Sequence, residues 1–201
     1  MSGACTNCGL RHQCLCDRIP QLRSQLHLSL LMHESEYQRD TNTGRWLRAA
    51  VPGCQDFGWS RVEPSSGLQQ RIADPNLYSV LVYPDEQSLS PQQVLHQARR
   101  AAQQPHFIVL DGTWQEAKKM VRKSPWLDTL PRMQLMPQQQ SAYQLRRNQS
   151  DGHLCTLEVG CELLQLLDEA DNAAQLMRFF TEFMQVFQAD KSGHRWSGGG
   201  N

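Results

Sequence analysis

The chain has no net charge: 20 lysines and arginines are matched by 20 aspartates and glutamates among its 201 residues. Global attraction to nucleic acid is therefore not implied, and such a partner would have to be held by a local patch. No apolar run reaches the roughly 18 residues of a spanning helix, which argues against a membrane protein. No secretory signal is recognisable, so the expected setting is cytoplasmic. The sequence also lacks GxGxxG after a strand, GxxxxGK followed by Ser or Thr, HExxH and GxSxG. Their absence disfavours a dinucleotide oxidoreductase, a P-loop NTPase and an α/β-hydrolase.

Cysteine, by contrast, is concentrated. Of seven cysteines, four fall in the first sixteen residues, as Cys5, Cys8, Cys14 and Cys16. Without a secretory signal these read as reduced thiols or metal ligands rather than disulfides. A CxxC pair followed by Gly9 suits a tight turn presenting two thiolates to one ion, and four thiolates suit tetrahedral zinc. Cys14-Leu-Cys16 is a tighter second half than usual, so unrelated cysteines are the alternative. A closed four-thiolate shell leaves no open position, so such a zinc would be structural. Cys155 and Cys161, at the start of an apolar helix, read as core residues rather than nucleophiles.

Hydrophobic patterning gives strands at 26–32 (LHLSLLM), 57–62 (FGWSRV) and 79–83 (SVLVY), with a short apolar run at 133–136. Thr43 can cap a helix with Trp46, Leu47 and Ala50 inward, and Ser90, Pro91 and Gln93 form a capping box for another. Phe107 to Leu110 reads as a buried strand broken by Asp111-Gly112. Thr113 and Glu116 then form a capping box for a helix with Ala117, Met120 and Val121 on its inner face, ended by Pro125. Residues 143–147 read as a basic helical stretch, and 156–170 as a helix burying Leu163, Leu164 and Leu167. The last helix, capped by Asp171, carries Leu176, Phe179, Phe180, Phe183, Met184 and Phe187 on one face. Strands alternating with helices predict an α/β fold with a mainly parallel sheet flanked by helices. The organisation expected is a four-cysteine zinc-binding module at 1–24, an α/β catalytic domain at 25–190 and a flexible glycine-rich tail at 191–201.

In such sheets ligands bind beyond the carboxyl ends of the strands, where Asp111 to Trp114 stand. Positive charge clusters locally. Lys118, Lys119, Arg122 and Lys123 lie on the central helix, Arg39, Arg45 and Arg48 flank Asn42-Thr-Gly, and Arg146 and Arg147 follow Tyr143. Solvated helix faces explain any one cluster; together they admit an RNA partner, with bases stacking on Trp114, Tyr143 or Tyr37. A core role for Trp114 is the equal alternative.

Asp111-Gly-Thr-Trp114 resembles the DxTW signature of the DTW-domain family. The likeness continues through the four N-terminal cysteines, Glu36 with Asn42-Thr-Gly-Arg45, Ser60-Arg-Val-Glu-Pro64, Tyr83-Pro84, Ser141-Ala-Tyr143 with Leu145-Arg146, and Cys155-Thr-Leu-Glu158. It covers almost the whole chain in order and is closest to the bacterial members that modify tRNA uridine. The resemblance implies a SPOUT-like fold with a knotted cofactor site and S-adenosylmethionine as co-substrate. It also implies transfer of the 3-amino-3-carboxypropyl group to N3 of a uridine, in bacteria position 47 of the tRNA variable loop, releasing methylthioadenosine.

Against that reaction, Asp111 is the first candidate to take the N3 proton, with Glu36 and Glu158 as rivals and Thr113 and Trp114 beside it. Asn42, Thr43 and Arg45 would hold the amino-acid end of the donor. Tyr83, Pro84, Leu110, Gly112, Leu154, Thr156 and Glu158 would line the rest of its site. Lys118, Lys119, Arg122, Tyr143 and Arg146 would contact tRNA, and no obligatory protein partner is expected. His33 is assigned no role. Two alternatives stay open: an RNA methyltransferase using the same donor, and a non-catalytic zinc module that binds RNA.

Overall fold

A computed structural model describes residues 3–136, 141–143 and 154–198. Within them five strands form one sheet: β1 (His27–Met32), β2 (Cys54–Gly58), β3 (Leu77–Val82), β4 (Gln104–Asp111) and β5 (Arg132–Met133). Their order is β2-β1-β4-β3-β5 and every pairing is parallel. The α-helices among the described residues are α1 (Gly44–Ala50), α2 (Ser66–Ile72), α3 (Pro91–Arg100), α4 (Trp114–Lys123), α5 (Thr156–Leu166) and α6 (Ala170–Lys191). The expected α/β class with a parallel sheet is what the chain adopts.

The central strands are apolar on both faces, as a sheet covered on both sides requires. Leu28, Leu30, Phe107 and Val109 face the larger core, with Trp46 and Leu47 of α1, Leu163 of α5 and the aromatic stripe of α6. Leu31, Leu81, Ile108 and Leu110 face the other side, with Leu68 of α2 and Ala117 and Met120 of α4. The stripe of Leu176, Phe179, Phe180, Phe183, Met184 and Phe187 is buried. Each such side chain contributes on the order of 1.5–3 kcal/mol. Gly160 of α5 faces Leu47 so closely that a Cβ there would overlap the leucine side chain, which sets the approach of α5 to α1.

Several boundaries differ from the sequence reading. The second strand is Cys54–Gly58 rather than 57–62, because its register with β1 ends where β1 ends, at Met32 opposite Gly58. Beyond it Val62 is exposed. β4 begins at Gln104 and passes through Pro105, tolerated near a strand's first residue, where a ladder N–H is dispensable. Helix α6 has Glu169, not Asp171, at its N-cap position, and Asp171 falls in the first turn. Glu169 is fixed there by the backbone N–H of Gln25 at 2.9 Å. Helix α5 stops at Leu166, and Leu167 is only half-buried. Residues 141–143 are not helical, while 144–147 lie outside the described residues. In the tail, Trp196 packs back on the larger core.

A polar group crosses the sheet centre. Ser29 on β1 and Ser79 on β3 flank His106 on β4, each hydroxyl 2.8 Å from a ring nitrogen. His106 is 0% exposed, and burial drives its imidazole down to about 3. Between the ordinary value near 6.5 and that depressed one, the unfolded chain binds a proton that the folded chain refuses. Stability is therefore fully present above about pH 6.5 and is lost as pH falls through this window, by up to about 1.4 kcal/mol per unit. Urea denaturation at steps from pH 7.5 to 5 should show this slope, and His106→Gln should flatten it; an unchanged slope in the variant would exclude His106 as its source.

Candidate active site

At the N-terminus, Gly9 takes a positive φ of 75°, and its N–H bonds to Cys5 O at 2.8 Å. This turn brings Cys5, Cys8, Cys14 and Cys16 together, with all four sulfurs within 4.8 Å of one another. The Cys5–Cys16, Cys8–Cys14 and Cys5–Cys14 sulfurs are 3.7, 3.8 and 3.7 Å apart. Four sulfurs at about 2.3 Å from one tetrahedral ion stand about 3.8 Å from each other, so the cluster fits zinc. Backbone N–H groups of Cys8 and Asn7 aimed at Cys5 lower its thiol to about 6, whereas burial pushes the Cys8 and Cys16 thiols up, so the fit to zinc rests on the sulfur geometry. This segment has no core of its own. Cys8, Leu10, Leu15 and Leu22 join the larger core, and Asp190 at the end of α6 accepts from the backbone N–H of Arg11 and His12 at 2.8 and 2.7 Å.

The chain leaves β1 towards β2 on one side, while β4 and β3 lie on the other. The C-terminal ends of β1 and β4 thus flank a topological switch point, where open α/β sheets bind ligands. Asp111 ends β4 there and is only 2% exposed. Its Oδ2 accepts from Asn42 Nδ2 at 2.8 Å and its Oδ1 from Thr156 Oγ1 at 2.7 Å. The same Asn42 amide donates to Glu36 Oε2 at 2.9 Å, while Asn42 Oδ1 accepts from Arg45 N at 2.9 Å. Three stretches far apart in sequence therefore meet at one carboxylate. A glycine is needed at position 44, because a Cβ there would overlap Asp111 Oδ2. Thr43 occupies the N-cap position of α1 but does not cap it; its Oγ1 accepts from Leu157 N at 3.3 Å. The cap is supplied by Asn42 instead.

A second network lies beside the first. Thr113 and Glu116 form the expected capping box of α4. Glu116 also accepts a two-pronged pair from Arg39, both contacts 2.8 Å, and the Ser35 hydroxyl at 2.8 Å. Burial alone would raise the Glu116 carboxyl, but the Arg39 guanidinium, the Thr113 N–H and the Ser35 hydroxyl hold it far below the ordinary glutamate range. Arg39 pairs with Glu36 as well, joining the two networks. His33, buried across from Gly112, stacks on Trp59 with centroids 5.5 Å apart and places Nδ1 2.9 Å from Ser35 Oγ.

Most of the sequence-derived residues converge on this region. Asp111, Glu36, Asn42, Thr43 and Thr156 share the junction. Gly112 and Thr113 adjoin it at the start of α4, Leu110 precedes it, and Leu154 leads into α5. Tyr83 and Pro84 follow β3, and the Tyr83 ring lies 6.4 Å from that of Trp114. Glu158 is not at the junction. It closes the α5 capping box on Cys155 N at 2.8 Å and accepts from Ser141 Oγ and Ala142 N at 2.6 and 2.7 Å. Arg45 turns from the junction towards the cysteines, its guanidinium donating to Asp40 O at 2.8 Å and Cys8 O at 3.4 Å.

Lys118, Lys119 and Arg122 form an exposed face of α4. Tyr143 departs from its expected role as a stacking surface. It is buried, its ring stacks on Phe180 at 6.0 Å, and its hydroxyl donates to Thr41 O at 2.8 Å. Arg146 lies outside the described residues. Ser35, Trp59 and the tie of Arg39 to Glu116 escaped sequence reasoning; the capping-box glutamate was the only signal pointing towards them.

Comparison with known proteins bears on this geometry. The family model described as DTW domain matches residues 2–188. The chain is 28% identical over 172 residues to a Drosophila melanogaster protein named tRNA-uridine aminocarboxypropyltransferase 2, a match covering 82% of this chain and 66% of that protein. It is 23% identical over 160 residues to a Mus musculus protein of the same name, covering 78% of this chain and 53% of the relative. The chain thus spans between about half and two thirds of these curated relatives. No solved structure matches it.

Asn42 tests the junction directly. Hydrogen bonds to charged groups are worth about 1.5–3 kcal/mol each, and Asn42 makes one to each buried carboxylate. Asn42→Ala should lower the unfolding free energy by about 3 kcal/mol, and Asn42→Asp by more, since a third carboxylate would join two. Chemical denaturation reads both; a loss below about 0.5 kcal/mol would contradict the weight given to the contact.

Proposed function

The chain belongs to the DTW-domain family, and on that premise we propose that it is a tRNA-uridine aminocarboxypropyltransferase. Its reaction moves the 3-amino-3-carboxypropyl group of S-adenosylmethionine to N3 of a tRNA uridine, in the variable loop at position 47. The observation carrying this reading is the Asp111 junction, in which DGTW, NTGR and CTLE segments meet at the switch point of a parallel sheet. The names of the fly and mouse relatives support the same substrate and reaction.

The donor supplies a carbon bound to a sulfonium, itself a good leaving group. As the N3–carbon bond forms, the carbon–sulfur bond breaks, its electron pair goes to sulfur, and methylthioadenosine departs. The N3 proton must go to a base, because protonated N3 is a weak nucleophile. Asp111 is that base in this proposal. Its Oδ2 lies under the side-chain-free Gly44 and accepts from Asn42, while its Oδ1 accepts from Thr156. Glu36 pairs with the Arg39 guanidinium and accepts from Asn42, so in this proposal it positions Asn42. The donor would lie along Tyr83, Pro84, Leu110, Gly112 and Leu154 to Thr156, on the Oδ1 side. Orientation of the two reactants supplies much of the acceleration.

The four thiolates hold a structural zinc in this reading, and the reduced cysteines suit a cytosolic setting. The exposed lysines and arginine of α4 steer the tRNA phosphates. Among the described residues no helix is long and apolar enough to cross a membrane.

Incubation with tRNA and S-adenosylmethionine should give methylthioadenosine and an aminocarboxypropylated uridine; S-adenosylhomocysteine would indicate a methyltransferase, and neither product a binding module. Asp111→Asn should lower turnover about 10²- to 10⁴-fold, the usual weight of a general base, with donor affinity little changed. Near-normal turnover would remove Asp111 from the role. Metal analysis of the intact protein should find zinc, lost in Cys14→Ser; a metal-free wild-type chain that keeps its fold would overturn the assignment.

A further inference from the structure

A cleft of about 230 Å³ opens on the Oδ2 side of the junction, between α1, the turn after β1 and the turn from Cys5 to Cys8. Drug-sized ligands occupy pockets of about 300–1000 Å³, so this one is small for S-adenosylmethionine and suits a single base. Leu30 and Met32 form an apolar floor, Asn42 lies at the inner end with Gly44 beside Asp111, and the paired charges Arg39–Glu36 and Arg48–Asp56 complete the lining. Thr6 and Asn7, between the first two cysteines, form the facing wall. At its edge Tyr37 is 54% exposed, a large aromatic left in solvent. Arg45, also in the lining, keeps its Nε–H buried without a hydrogen-bond partner.

We infer that this cleft receives the target pyrimidine base, extruded from the RNA, with the cysteine-bearing turn as one wall of the acceptor site. This rests on the transferase reading and extends it to the acceptor subsite. An apolar floor takes the face of a base. The amide of Asn42 lies where the N3 edge would arrive, and Tyr37 offers a ring on which the neighbouring base stacks. Donor and acceptor then meet each other beside Asp111, whose Oδ1 accepts from Thr156 and whose Oδ2 accepts from Asn42 under Gly44. The four-cysteine cluster is, on this account, more than a clip on the N-terminus: it holds the wall that Thr6 belongs to.

Thr6→Trp would fill the cleft without touching a cysteine, and Tyr37→Ala would remove the stacking ring. Binding of a fluorescent single-stranded oligouridylate, read by anisotropy, separates this inference from the transferase assignment because it needs no turnover. Thr6→Trp should weaken binding at least about tenfold and Tyr37→Ala at least about fivefold. S-adenosylmethionine affinity by calorimetry, metal content and thermal midpoint should stay at wild-type values. Oligouridylate binding unchanged in Thr6→Trp would overturn the inference. Loss of S-adenosylmethionine affinity in that variant, with oligouridylate binding retained, would overturn it too by giving the cleft to the donor. A wild-type protein that binds oligouridylate through this cleft but forms no methylthioadenosine on tRNA would leave the inference standing and sink the transferase reading.

Discussion

The Asp111 carboxylate, shared between Asn42 and Thr156, is the contact on which the rest of the site depends. A buried carboxylate without donors costs several kcal/mol, so wherever β4 ends, donors must be brought to it. The fold brings them from two directions. Asn42 arrives from the turn before α1, and Thr156 from the first turn of α5. Because the two donors sit on different oxygens, the carboxylate ties the turn before α1 to the start of α5. Close approach is possible because residue 44 has no side chain, and α1 can then begin directly over the carboxylate.

Around that junction the charged groups are arranged in series. Arg39 reaches Glu36 on one side and Glu116 on the other, so the start of α4 is tied to the turn after β1. Glu116 in turn caps α4 through Thr113, directly after Asp111-Gly112. Local capping chemistry and tertiary pairing therefore use the same carboxylate. This coupling ties the DGTW turn to the turn after β1. The N-terminal cysteines are tied in from the other flank, through Arg45 to Cys8 O and through Asp190 to the Arg11 and His12 amides.

Much of this was legible in the sequence where physics is local. The capping boxes at Ser90 and Thr113, the CxxC turn with Gly9, and the stripe along α6 all depend on spacings of a few residues, and each formed as read. What depended on register or on distant partners was not legible. β2 was misplaced because its end is set by pairing with β1, not by its own apolar residues. Asn42 and Asp111 are 69 residues apart, and nothing local indicates that one amide serves two carboxylates. Tyr143 looked available for a base because a lone tyrosine near arginines resembles an RNA contact. Its stack on Phe180 depends on α6 arriving beneath it. Glu158 was offered as a base, yet it fixes residues 141 and 142 to the start of α5.

On the proposed function, this junction brings a uridine base and an aminocarboxypropyl donor together. The most direct measurement is nucleoside mass spectrometry of tRNA from cells with and without the gene encoding this chain. Uridine bearing the aminocarboxypropyl mass should be lost from tRNA when the gene is removed, and should return with the wild-type gene but not with Asp111→Asn. Retention of that nucleoside in cells lacking the chain, or loss of a methylated nucleoside in its place, would contradict the proposal.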